Sequence, residues 1–249
     1  REEEEDKNRI QSKVEYPVLV NGVIENDILD VIKEKGAILT VEVEGDHVVS
    51  ELSDRGELIY KISEPLDENM KIISSSKFRA EIYYLNFSAK QTFSRRMGIK
   101  SKDFGSLFLF KNGFQVFPVG EEGNDYWNLD KRKTQGHSRF LGNRDIMGRV
   151  DVYGGNDQFR ESSSRDKGLI ESPAALALSA IVLSTVKRFE RYVVGITWQD
   201  KLDKDRETAE GLHLDRNRAK IIELIAALAN SKNIEILDFN KDLMSVLGN

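Results

Sequence analysis

The sequence contains no cysteine, three histidines and four prolines among its 249 residues. The absence of cysteine excludes disulfides, thiolate nucleophiles and cysteine-bound zinc. His47, His137 and His213 lie far apart and lack the spacing of a zinc-binding helix, so we expect no metal site. The glycine patterns of P-loop and Rossmann nucleotide sites are missing too.

Long apolar runs are also missing. No hydrophobic stretch approaches the roughly 20 residues that cross a bilayer, and the first residues, REEEEDKNR, do not resemble a signal peptide. We therefore expect a cytoplasmic protein with no membrane partner. The acidic start is typical of a solvated tail, residues 1–12, on a piece of a longer protein. The net charge of −5 gives no general sign of nucleic-acid binding.

The chain predicts an α+β fold with three parts after the tail. Residues 13–78 form a small α+β unit, in which helical spacing predicts a helix over residues 21–35 and a left-handed cap at Gly36. A hairpin around Gly45-Asp46 and a third strand complete this unit. Residues 79–198 form a central domain, and residues 199–249 form a helical extension.

Turn and cap signals organise the central domain. Aromatic-rich strands, predicted over Gly105 to Phe110 and Phe114 to Phe117, flank Asn112-Gly113, a pair that favours a type I′ hairpin turn. Alternation along these strands favours core packing over base stacking for their aromatic residues and the neighbouring tryptophan: Phe108, Phe110, Phe114, Phe117 and Trp127. Ser172 before Pro173 is typical of the start of a helix.

A basic segment stands out against the acidic average. Between Lys131 and Arg149 there are six Lys or Arg residues and Asp145 is the single acidic residue, a local net charge of +5. Such a density of positive charge is typical of contact with phosphate, either on a nucleotide or on nucleic acid, and equally of a solvated loop.

Five motifs in the central domain resemble, in the same order, those of a known family. They are LFLFKNGFQV (107–116), DKRKTQG (130–136), RFLGNRD (139–145), GRVDVYG (148–154) and FRESSSRDKGLI (159–170). Together they resemble the transducer domain of GHKL (Bergerat-fold) ATPases, a group that includes MutL, the gyrase B subunit, the ninety-kilodalton heat-shock chaperone and MORC proteins. The bacterial MORC/MutL-like ATP-binding proteins, often linked to phage defence, are the nearest in pattern. The resemblance covers about residues 40–200 and implies a ribosomal-protein-like βαβ transducer.

The resemblance implies a role for one arginine. In the family, a basic side chain from the loop that opens the long helix reaches the γ-phosphate of ATP bound in a neighbouring domain. Arg165, in Ser164-Arg165-Asp166, matches that residue and is the predicted catalytic residue, acting in trans. The predicted nucleotide contacts are Lys131, Arg132, Lys133, Gln135 and Lys167. Lys167 replaces the glycine expected after the aspartate.

The ATP pocket of the family is missing from this sequence. A GHKL pocket needs an Asn-bearing helix for magnesium, a D-x-G-x-G turn and a glycine-rich lid, none of which is present. We therefore expect no enzyme activity and no cofactor in this chain alone, and ATP with magnesium in the intact protein. The expected partner is an N-terminal GHKL ATPase domain, with DNA and a second copy of the intact protein as further candidates.

The function implied is to sense ATP in that domain and to couple it to conformational change. The alternative is a DNA-binding module that uses the basic segment. The run Ser162–Ser164 does not favour a serine hydrolase, because its motif contains no histidine.

Overall fold

An eight-stranded mixed sheet organises the computed structural model, which describes residues 32, 33, 35–136, 139–155, 157–163, 167–198 and 210–243. The strand order is β6-β5-β7-β4-β1-β2-β3-β8. The strands are β1 (Ala37–Glu44), β2 (His47–Asp54), β3 (Glu57–Pro65), β4 (Lys77–Tyr84), β5 (Leu107–Lys111), β6 (Phe114–Gln115), β7 (Ile146–Tyr153) and β8 (Glu235–Phe239). The helices are α1 (Phe87–Met97), α2 (Ser101–Phe104), α3 (Leu129–Lys133), α4 (Pro173–Tyr192) and α5 (Glu210–Ala229). The predicted α+β class is confirmed.

Strands β1 to β3 form the meander that the alternating sequence predicts. Buried and half-buried residues alternate along β1 and β2, because successive side chains point to opposite faces of a sheet. Gly45 takes a φ of 60° in the turn between them, a backbone conformation that glycine adopts without strain.

The sheet continues across the boundary predicted at residue 78. Strand β1 pairs antiparallel with β4, with Leu39 opposite Ile82. The last strand, β8, returns to the opposite edge and pairs with β3, with Ile62 opposite Ile236. One core cluster takes residues from β1 to β5 and β7 and from both long helices. The residues assigned to separate units in the sequence therefore share one sheet and one core.

The central hairpin is shorter than predicted. Asn112 and Gly113 both have positive φ values, 51° and 85°, as a type I′ turn requires. Strand β6 has two residues, however, and the chain leaves the edge of the sheet at Pro118. Phe114 is consequently 80% exposed and Phe117 52% exposed, so the prediction that both pack in the core was wrong. Trp127 is buried as predicted.

Helix α4 lies against the sheet and begins where the sequence predicts. The Ser172 hydroxyl accepts a hydrogen bond from the Ala175 amide at 3.1 Å, which caps the first turn, and Pro173 occupies the first helical position. The helix continues as a π-helix over Val193–Trp198. Its buried face includes Leu178, Ile181, Val182, Val186 and Phe189.

Three predictions, for the helix over residues 21–35, for Gly36 and for the C-terminal extension, have different outcomes. Residues 32, 33 and 35 are helical, but the rest of the predicted 21–35 helix and the tail lie outside the described residues. Gly36 is not left-handed, contrary to the prediction. A Cβ atom on Gly36 would lie 2.5 Å from the Tyr84 carbonyl oxygen, so close packing requires glycine there. The extension was predicted to be helical, but it also contributes strand β8 to the sheet.

Candidate functional site

A narrow stem carries the loop in which the sequence places its candidate catalytic residue. Glu161 and Leu169 form an antiparallel bridge. The Ser162 amide donates to the Gly168 carbonyl at 2.8 Å, and the Ile170 amide donates to the Arg160 carbonyl at 2.7 Å. Residues 164–166, which include Arg165, come between the two sides of the stem in sequence and lie outside the described part of the chain. The predicted accessibility of Arg165 therefore stays a prediction.

The base of the stem is tightly packed. Gly168 has a φ of 67°, and a Cβ atom there would lie 2.8 Å from Val119 and 3.0 Å from the Tyr126 ring. Burial raises the pKa of Tyr126. Hydrogen bonds with the Leu169 backbone and the Ser179 side chain lower this pKa, but by less than burial raises it. Trp127 donates from Nε1 to the Leu107 carbonyl at 2.8 Å. The base of the stem is therefore held in place by close packing.

A buried lysine that sequence reasoning missed lies beside the stem. Lys111 ends strand β5 and is 7% exposed, with its Nζ 3.8 Å from Glu161 Oε1. A buried ammonium needs a nearby carboxylate to offset the loss of hydration. The available signal was a lysine that closes the apolar run LFLF immediately before the Asn-Gly turn.

Arg132, a predicted nucleotide contact, is bound within the chain. Its guanidinium donates to both carboxylate oxygens of Glu190, at 3.3 and 3.0 Å, and it lies 4.8 Å from the centre of the Phe140 ring. Glu190 is buried and also accepts the Leu141 amide at 3.0 Å. The pair fastens α3 and the following loop to the C-terminal end of α4.

Other cations of the basic segment have carboxylate partners as well. Lys133 forms an ion pair with Asp145, whose carboxylate also accepts the Gly142 amide at 2.7 Å. Arg149 donates to both oxygens of Asp151, at 2.6 and 2.5 Å. Three of the six basic residues are thus paired, two of them to carboxylates outside the Lys131–Arg149 window. The two outside carboxylates, Glu190 and Asp151, therefore reduce the local charge excess.

The described site residues lie on two parts of the chain, the stem and the basic segment. The stem leads into the first turn of α4, whereas Arg132 is bound to Glu190, 17 residues after Pro173. At about 1.5 Å per helical residue, this corresponds to roughly 26 Å along the helix axis. Lys131 and Gln135 flank Arg132 in sequence and are exposed. Lys167 is exposed at the stem instead.

The described residues contain no group of three or more His, Cys, Asp or Glu side chains that could hold a metal ion. No helix among them has the length and the apolar character needed to cross a membrane.

The similarity of this chain to known proteins is slight. No protein-family model matches the chain, and the comparison with curated proteins returns no match. Among solved structures, the chain is similar to the B-subunit of the DNA gyrase from Myxococcus xanthus. The TM-score is 0.28 at 7% sequence identity, over 74% of this chain and 77% of that chain. A likeness at this TM-score carries no argument about family or function.

Proposed function

We propose that this chain is the transducer region of a GHKL-type ATPase, in which Arg165 contacts the γ-phosphate of ATP bound in a neighbouring domain. The observation that carries the proposal is the stem at residues 160–170. Its two sides flank, in the sequence, the family's Ser-Arg-acid triplet, and a long, N-capped helix follows immediately. The ordered sequence motifs of the central domain support the same reading.

Helix α4 is suited to carry a signal away from the loop. Its far end is fixed by Glu190 to Arg132, by Arg188 to Glu64 of β3, and by the Tyr192 hydroxyl to Asp54 of β2 at 2.7 Å. A displacement of the loop would therefore act on the sheet and on the basic segment through one rigid element. ATP shifts the equilibrium between domain arrangements only if the Arg165 contact forms in one of them.

In this proposal the ATP and its magnesium ion are held by the neighbouring domain. This chain supplies a cation that neutralises charge on the transferred phosphate, a task suited to arginine because its guanidinium stays charged and offers several donors.

The test is the substitution Arg165→Ala in the protein that carries this chain together with its ATPase domain. We expect kcat to fall by about one to three orders of magnitude, at roughly 1.4 kcal/mol per decade, with a much smaller effect on ATP affinity. Arg165→Lys should retain part of the activity. The matched control is Arg160→Ala, an exposed arginine on the stem, which should change kcat little. Normal hydrolysis by the Arg165→Ala variant would refute the proposal.

The DNA-binding alternative receives less support from the contacts. A backbone-tracking surface needs cations that are free to meet phosphates, whereas Arg132, Lys133 and Arg149 already have carboxylate partners. Titration of the purified chain with duplex DNA at several salt concentrations separates the two functions. Binding that falls steeply with salt would favour the alternative.

A further inference from the structure

A polar cavity lies at the far end of α4 from the stem. It has a volume of about 490 Å³ and lies between α4 and the turn that follows β3, with Asn233 at its margin. Ser184, Lys187, Arg188 and Arg191 line one wall. Their spacing of three and four residues places them on one face of the helix, so three cations point toward the same space.

Arg188 has hydrogen-bonding capacity left over. One terminal nitrogen, Nη2, forms an ion pair with Glu64. The other, Nη1, is buried and has no hydrogen-bond partner. An unsatisfied charged donor costs more than a neutral one, so an acceptor at this position would stabilise the arrangement. Because Nη1 is closed off from solvent, a small rotation of the guanidinium must accompany the arrival of that acceptor.

The charges that remain unpaired around the cavity favour an anion. Lys187 is exposed, as is Arg191, and neither forms an ion pair with any described residue. On the opposite wall, Glu68 is neutralised by Lys71 at 2.5 Å, which leaves Asp67 as the carboxylate without an ion pair. Two unpaired cations and a partly used guanidinium therefore face one unpaired carboxylate.

We infer that this cavity binds phosphate, carried on a small molecule or as the free ion. Arginine and lysine together recognise phosphate oxygens, the first by its planar donor fork and the second as a point charge. A cavity of about 490 Å³ has room for more than one free phosphate ion, and its size is that of ordinary small-molecule sites. The site lies near the C-terminal end of α4, away from the stem, and does not depend on the function proposed for Arg165.

The experiment is a calorimetric titration of the full chain with two probes, inorganic phosphate and ribose 5-phosphate. We expect saturable binding with one site per chain. Tighter binding of the ester would identify a phosphorylated small molecule as the ligand class, and tighter binding of inorganic phosphate would identify the free ion. The double variant Lys187→Gln/Arg191→Gln removes two exposed cations and should weaken binding at least about tenfold. Circular dichroism checks that the variant keeps its fold.

The matched control is Arg95→Gln/Arg96→Gln, which removes the same charge from exposed positions at the end of α1. It should leave the affinity unchanged. The side-chain amide signal of Asn233 should shift in NMR spectra when either probe is added. The inference is overturned if neither probe binds saturably at millimolar concentration, or if the control weakens binding as much as the cavity variant does.

Discussion

Glu190 connects the basic segment to the long helix. Its carboxylate accepts hydrogen bonds from both terminal nitrogens of Arg132 and from the Leu141 amide. Both charged side chains are largely buried. Burying the two charges together is tolerable because each supplies hydrogen bonds that water would otherwise give.

We expect Glu190→Gln to destabilise the chain by about 3 kcal/mol, because it leaves the Arg132 charge buried without its counter-ion. Urea unfolding followed by circular dichroism measures the change. Glu51→Gln is the matched control, since the Glu51–Lys61 pair is exposed and should contribute less than about 1 kcal/mol. Equal effects of the two substitutions would show that the Glu190 pair is no stronger than a surface ion pair.

The partner of Arg132 could not be predicted from the sequence. Glu190 lies 58 residues further along the chain and on a different element. A count of charges along the sequence therefore treats Arg132 as available to bind phosphate, although in the fold it is bound to the Glu190 carboxylate. The prediction that it contacts a nucleotide stays untested, and Lys131, Gln135 and Lys167 keep the exposure that such a contact requires.

Strand pairing leaves no room for a side chain at Gly148 in β7. A Cβ atom there would lie 2.0 Å from the carbonyl oxygen of Glu81 in the neighbouring β4. The two strands are paired along their whole length, from Lys77 with Tyr153 to Tyr84 with Ile146, so neither backbone can move alone.

Gly148→Ala should therefore cost about 3 kcal/mol of unfolding free energy. Gly45→Ala, in the β1–β2 turn, is the control. Its Cβ would meet nothing within 4 Å, so the positive φ alone should cost about 1 kcal/mol. Thermal or urea unfolding of both variants gives the comparison. A smaller effect at Gly148 than at Gly45 would contradict the close approach of β4 and β7.

At the scale of elements, the sequence predicted best where local chemistry decides the structure. The β1–β2 hairpin, the Asn112-Gly113 turn and the Ser172 cap could all be predicted from short sequence patterns. Strand β8 could not be predicted in this way, because apolar and polar residues do not alternate cleanly in EILDF. In the structure its residues are exposed or half-buried. Its pairing with β3 depends on the fold of the whole chain.

At the scale of the whole molecule, one sheet joins the segments that sequence signals separate. The pairing of β1 with β4 crosses the boundary predicted at residue 78, and β8 brings the C-terminal extension to the other edge. The polar stretch of residues 65–76, next to that boundary, includes a 3₁₀ helix, Glu68–Ile73, that packs against α4.

This arrangement predicts one cooperative unfolding transition. Residues of the predicted units share the same core cluster, so unfolding residues 37–65 would expose the apolar face of β4 and part of α4. Calorimetry should give a van't Hoff enthalpy close to the calorimetric one, and near-ultraviolet and far-ultraviolet circular dichroism should report the same midpoint.

A substitution in each half provides the control for this prediction. Leu39→Ala in β1 and Val150→Ala in β7 each remove a fully buried side chain and should lower the single midpoint by several degrees, in line with roughly 1–4 kcal/mol of lost stability. If the halves were independent, each substitution would shift one transition and leave the other in place. Two separable transitions would support the boundary predicted at residue 78 and would mean that the continuous sheet does not couple the two parts energetically.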